Sequence, residues 1–131
     1  MATMKGAFMH GLDNMIIKEI PKPTAGKGNV VVSLEYVGIC GSDVHYYHSG
    51  KCGAYEVDMS QDYMLGHETA GTVVEVGEGV TTLKVGDRVC LEPGISFLQP
   101  LRLQAATRSS SSSLQITASS FRRMSPRRKV R

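Results

Sequence analysis

Residues 29–37 carry the clearest pattern in the chain. Val30, Val32, Leu34 and Tyr36 fall on one side of an extended backbone, with Val31, Ser33, Glu35 and Val37 on the other. This period of two predicts a strand. Shorter β-prone runs at residues 5–9 and 14–20 flank the turn-like His10-Gly11-Leu12-Asp13 and predict a hairpin. Pro21, Pro23, Gly26 and Gly28 punctuate the chain before the long strand. After it, Gly38 and Gly41 bracket Ile39-Cys40, and Ser42 or Asp43 is placed to cap a short helix over residues 44–48. Residues 49–64 are irregular and read as a surface loop. Residues 71–76 alternate again and end at the turn Gly77-Glu78-Gly79, and residues 87–92 form a last strand after Val85-Gly86. The elements predict a mainly β domain over residues 1–95, a bent sheet or partial barrel with one short helix.

The pattern stops near Pro93-Gly94. Residues 96–131 hold five consecutive serines at 109–113, the pair Ser119-Ser120 and a terminal Pro-Arg-Arg-Lys-Val-Arg. Such a composition buries too little apolar surface to offset chain entropy, so a disordered, low-complexity tail is expected.

Charge sharpens this boundary. Residues 1–97 carry seven Lys/Arg against all twelve Asp/Glu, whereas residues 98–131 carry eight basic groups and no acidic one. The formal net charge of +3 is thus the sum of an acidic domain and a basic tail. The abruptness of the change points to a shifted reading frame or a retained intron as the origin of the tail. A basic arm for nucleic acid is the competing reading. Its eight positive charges suit phosphates, but the tail offers one aromatic, Phe121, and a single Arg-Ser dipeptide, so nucleic acid is not the expected partner.

With 131 residues there is room for one ordinary domain. Three cysteines, Cys40, Cys52 and Cys90, give no disulfide framework. A reducing, cytoplasmic setting is expected. No apolar run approaches the roughly 20 residues that span a bilayer, so no membrane role is expected.

The chemistry concentrates in residues 65–80, Leu-Gly-His-Glu-Thr-Ala-Gly-Thr-Val-Val-Glu-Val-Gly-Glu-Gly-Val. His67 and Glu68 offer adjacent nitrogen and oxygen donors, and Cys40 offers sulfur. A catalytic zinc takes three protein ligands and keeps one position open. Neighbours on an extended chain point to opposite sides, so His67 and Glu68 must sit at a turn or bulge to share a metal. Each residue also has a plainer reading, Cys40 as a small buried hydrophobe and His67-Glu68 as a loop hydrogen bond. Spacing alone leaves the choice open.

Gly66-His67-Glu68 followed by Gly71, Gly77 and Val80 resembles the zinc signature G-H-E-x-x-G-x5-G-x2-V of the medium-chain alcohol dehydrogenases at every fixed position. Residues 37–46, Val-Gly-Ile-Cys-Gly-Ser-Asp-Val-His-Tyr, resemble the zinc-cysteine segment of the sorbitol and xylitol dehydrogenase branch. Gly86-Asp87-Arg88-Val89 and Glu92-Pro93-Gly94 continue the likeness. The resemblance covers residues 1–95 and implies an incomplete GroES-like catalytic domain.

It further implies Cys40, His67 and Glu68 as zinc ligands, Glu68 being a direct ligand in the polyol branch but commonly a nearby carboxylate outside the ligand set in the alcohol branch. Ser42 would take the proton of the substrate hydroxyl and His45 would pass it towards solvent. The two lie three residues apart and would share a helix face, and imidazole exchanges protons near neutral pH. Tyr46 resembles the aromatic that lines the polyol pocket. His10 and His48 belong to no motif and are expected at the surface. The implied reaction is oxidation of a secondary alcohol on a polyol, with NAD as hydride acceptor. However, no G-x-G-x-x-G follows a strand and no nucleotide-binding βαβ array is encoded. The four-cysteine lobe of a second, structural zinc is also missing. The isolated chain is therefore expected to be inactive, either a truncated enzyme or a non-catalytic zinc-binding fragment, with homo-oligomers expected only of full-length relatives.

Overall fold

A computed structural model describes residues 2–91, 113–117 and 121–124. β1 (Thr3–Met9) and β2 (Met15–Pro21) form the expected hairpin, paired from Thr3 opposite Pro21 to Met9 opposite Met15. β3 (Asn29–Gly38) leads into α1 (Gly41–Ser49). Next come a small hairpin of β4 (Lys51–Cys52) and β5 (Tyr55–Glu56), then β6 (Glu68–Val76) and β7 (Arg88–Leu91). Two further strands follow, β8 (Ser113–Thr117) and β9 (Phe121–Arg123).

The main sheet has five strands in the order β8-β3-β6-β7-β9, with every neighbouring pair antiparallel. It is mainly β with one helix, and the strands do not close into a barrel among the described residues. No helix among them is long and apolar enough to cross a membrane. None of the three cysteines is in a disulfide.

Val30, Val32, Val73 and Val89 are fully buried and, with Leu83 and Leu91, form the core of this sheet. Burying each such side chain stabilises the fold by about 1.5–3 kcal/mol. Gly71 lies where β6 runs tightest against β3, since a Cβ there would stand 2.0 Å from the Ser33 carbonyl oxygen. Only glycine admits that approach.

The structure refines several expectations. Val30, Val32 and Leu34 share one face of β3 in the core as the alternation predicts, and Val31 is buried as well. Tyr36 departs from that face and is 58% exposed, beyond a register shift between Leu34 and Tyr36 that leaves Glu35 as the extra residue. The loop over residues 49–64 is more structured than irregular composition suggested. It contains the β4–β5 hairpin and a bridge in which Met9 N–H donates to Tyr63 O at 2.7 Å and Tyr63 N–H to Met9 O at 2.9 Å. Within the segment expected as a low-complexity tail, Ser113–Thr117 and Phe121–Arg123 are strands on the outer edges of β3 and β7. Those edges carry unpaired N–H and C=O groups that an extended segment satisfies, and Leu114 and Ile116 alternate with polar residues as a strand requires. The other residues of that segment lie outside those described.

Candidate metal centre

Cys40 ends the β3–α1 connection and is the N-cap of α1, with extended φ −86° and ψ 160°. Ser42 N–H donates to Cys40 Sγ at 3.4 Å, and Cys40 N–H donates to Asp43 Oδ2 at 3.0 Å. This reciprocal pair is a capping box with sulfur in the place of the usual hydroxyl. Neither Ser42 nor Asp43 is the cap that sequence reasoning placed there. The cap falls on Cys40 because Asp43, three residues on, can reach back to its amide, and the helix accordingly begins at Gly41 and ends at Ser49.

His67 and Glu68 arrive at the start of β6, the antiparallel neighbour of β3. Gly66 takes φ +107°, and β6 starts only at Glu68, so His67 lies outside the strand and Glu68 is its first residue. That turn allows adjacent side chains to converge. At the strand end Gly38 pairs with Glu68, and the carboxylate folds back over the glycine. One donor atom each from Cys40, His67 and Glu68 then lies within 4.8 Å of the other two. A tetrahedral zinc with bonds of 2.0–2.3 Å needs donors roughly 3.5 Å apart. Sulfur, imidazole nitrogen and carboxylate are its ordinary ligand set, so the residues fit the ion. Cys40 and His67 are half-buried and Glu68 is exposed, so the cluster faces solvent on one side.

Asp43 ties the two halves together, a role that sequence reasoning did not assign. It is 6% exposed. Beyond its bond from Cys40, Oδ1 accepts from Gly66 N–H at 3.3 Å and lies 3.4 Å from His67 Nδ1. A proton on Nδ1 facing Asp43 leaves the lone pair of Nε2 for a metal. The signal in the sequence was the Cys-x-x-Asp spacing, a capping box in which cysteine replaces serine or threonine.

Ser42 and His45 both lie on α1. Ser42 Oγ is 3.2 Å from Cys40 Sγ and half-buried, whereas His45 is exposed. No direct hydrogen bond joins them among the described residues, so a proton moving from one to the other needs an intervening hydroxyl or water. Tyr46 is half-buried, with its ring centroid 6.0 Å from that of Tyr63. Burial first, and then the neighbouring Tyr63, push its phenol above the ordinary value of 10.0, so it stays neutral throughout the physiological range. His10 and His48 are exposed as expected, and each faces a carboxylate, Asp62 and Asp13 respectively.

Two clefts flank α1. One of about 310 Å³ is apolar, walled by Met15, Val37, Ile39, Val44 and Leu65, and touches none of the three donors. The other, about 250 Å³, is bordered by Ser42, Tyr46 and His67 and so adjoins the cluster.

The profile of the alcohol dehydrogenase GroES-like domain matches residues 26–114, more than half of the chain. The chain belongs to this family. Within it, the chain is 47% identical over 87 residues to sorbitol dehydrogenase of Bombyx mori, covering 66% of this chain and 24% of that protein. It is 52% identical over 77 residues to D-xylulose reductase of Scheffersomyces stipitis, covering 59% of this chain and 20% of that protein. A crystal structure of an oxidoreductase/dehydrogenase of unknown specificity from Escherichia coli superimposes with a TM-score of 0.72 at 31% identity, over 95% of this chain and 40% of the other. The chain therefore spans about a quarter of the length of the curated relatives it matches. For this alcohol dehydrogenase domain, the converging donors lie at the Gly-His-Glu and Gly-Ile-Cys-Gly motifs.

Proposed function

We propose that this chain carries the alcohol-activating half of a zinc-dependent polyol dehydrogenase, which oxidises a secondary alcohol of a sugar alcohol to a ketone with NAD as hydride acceptor. The observation that carries the reading is the convergence of Cys40, His67 and Glu68 donors within 4.8 Å beside an open cleft. Bound zinc supplies Lewis acidity, which makes a substrate hydroxyl easier to deprotonate. Cys40, held by the first turn of α1, and His67, oriented by Asp43, would hold the ion together with Glu68.

Ser42 sits against Cys40 and accepts the hydroxyl proton, and exposed His45 delivers it to solvent. Tyr46 borders the space that the rest of the substrate occupies. A cytosolic setting accords with cysteines outside any disulfide. Hydride transfer requires a nicotinamide fixed beside the reacting carbon, and the sequence given carries no G-x-G-x-x-G. These 131 residues alone are therefore expected to show no turnover.

A second reading is a non-catalytic zinc-binding module. Metal analysis of the purified 131-residue chain with an NAD-linked assay tests both. About one zinc per chain, lost on Cys40→Ser and His67→Ala, is the expected result, together with no xylitol or sorbitol oxidation above background. A chain that holds no zinc overturns the proposed site, and measurable turnover overturns the prediction of inactivity.

A further inference from the structure

The cleft beside Ser42 and His67 has a wall that no motif announces. Cys52, Tyr55 and Tyr63 border it together with Tyr46. Tyr63 is 41% exposed, and its ring stands 6.0 Å from that of Tyr46 at an interplanar angle of 44°. Three tyrosines therefore line one space of about 250 Å³ that reaches His67.

Tyr63 lies in the segment between β5 and β6, where a freely moving ring would be expected, but its backbone is clamped. Met9, 1% exposed at the end of β1, exchanges both main-chain hydrogen bonds with it, at 2.7 and 2.9 Å. The preceding residue, Asp62, faces the imidazole of His10 and the ammonium of Lys18. The hairpin thus grips residues 62 and 63 from the backbone and through the side chains of His10 and Lys18.

We propose that Tyr63 is a specificity-determining residue of this site, its ring and phenol meeting the part of a polyhydroxylated chain remote from the reacting carbon, with Asp62 as the positioning residue that holds it there. The inference rests on the polyol reading above. A sugar alcohol presents both C–H groups and hydroxyls along its length. An aromatic face packs against the first, and a phenol hydrogen-bonds the second. A simple secondary alcohol ends before it reaches this wall. A site built to hydrogen-bond a hydroxyl discriminates strongly against an analogue that lacks it.

The test uses the zinc-loaded 131-residue chain and ligand-observed NMR titrations with xylitol and with 2-butanol. Tyr63→Leu is expected to raise the xylitol Kd about tenfold while changing that of 2-butanol less than about twofold. Tyr63→Phe, which keeps the ring, is expected to raise the xylitol Kd about fivefold, the worth of one net hydrogen bond. Asp62→Asn should weaken xylitol binding in the same direction. Unchanged zinc stoichiometry and far-UV circular dichroism establish that each variant is folded, and Tyr63→Phe decides the matter if Tyr63→Leu is not. Xylitol binding that is indifferent to Tyr63, or an equal loss for both alcohols, overturns the inference and leaves the polyol reading standing. If the unaltered chain binds 2-butanol but not xylitol, the polyol reading falls and takes the inference with it.

Discussion

A Cβ added at residue 38 would stand 2.7 Å from Glu68 Oε2 and 3.0 Å from Glu68 Cβ. The carboxylate can move, but only away from the glycine and so out of the donor cluster. Gly38→Ala is therefore expected to keep the fold and lower zinc affinity about 10- to 100-fold, the range found when a ligand loses its support. Competition against a chromophoric chelator measures it, and an unchanged affinity would separate Glu68 from the site. At this scale the candidate donors were legible in the sequence through the resemblance of their motifs to a zinc signature, since spacing alone left plainer readings open. The supports were not. Gly38 reads as a turn residue until its pairing with Glu68 is known, and Asp43 reads as a helix cap until Gly66 and His67 are seen against it. Both are long-range relations, which a local pattern does not contain.

Among the elements, β6 holds the middle of the sheet, with Val73 fully buried between β3 and β7. Val73→Ala removes two methyl groups from a packed core and is expected to destabilise the domain by about 2 kcal/mol in a denaturant titration, with little change in slope. β1, β2, β3, β6 and β7 were predictable from β-prone or alternating runs, whereas β4 and β5 lie in a segment that read as irregular. Where the alternation fails, as at Tyr36, a bulge set by the partner strand is responsible, and β3 alone gives no sign of it. The edge strands β8 and β9 were hidden for another reason. Serine- and arginine-rich segments have no strong preference of their own, so their pairing is decided by the edges available to them.

For the molecule as a whole, the proposed metal centre joins segments distant in sequence. Cys40 and His67 stand 27 positions apart in sequence, and the chain between them contains α1 and the β4–β5 hairpin. An ion held by both would close that loop. Zinc at about a hundredfold excess over its Kd stabilises the native state by about 2.7 kcal/mol, roughly 10–20 °C in Tm for a domain near 100 residues. Thermal unfolding with zinc and with a strong chelator is expected to differ by that amount, and coincident curves would mean that no ion is held. In topological terms an ion shared by Cys40 and His67 would be a reversible cross-link, doing without oxidation what a disulfide does with it. The proposed ligands would then staple a small domain whether or not a substrate is bound.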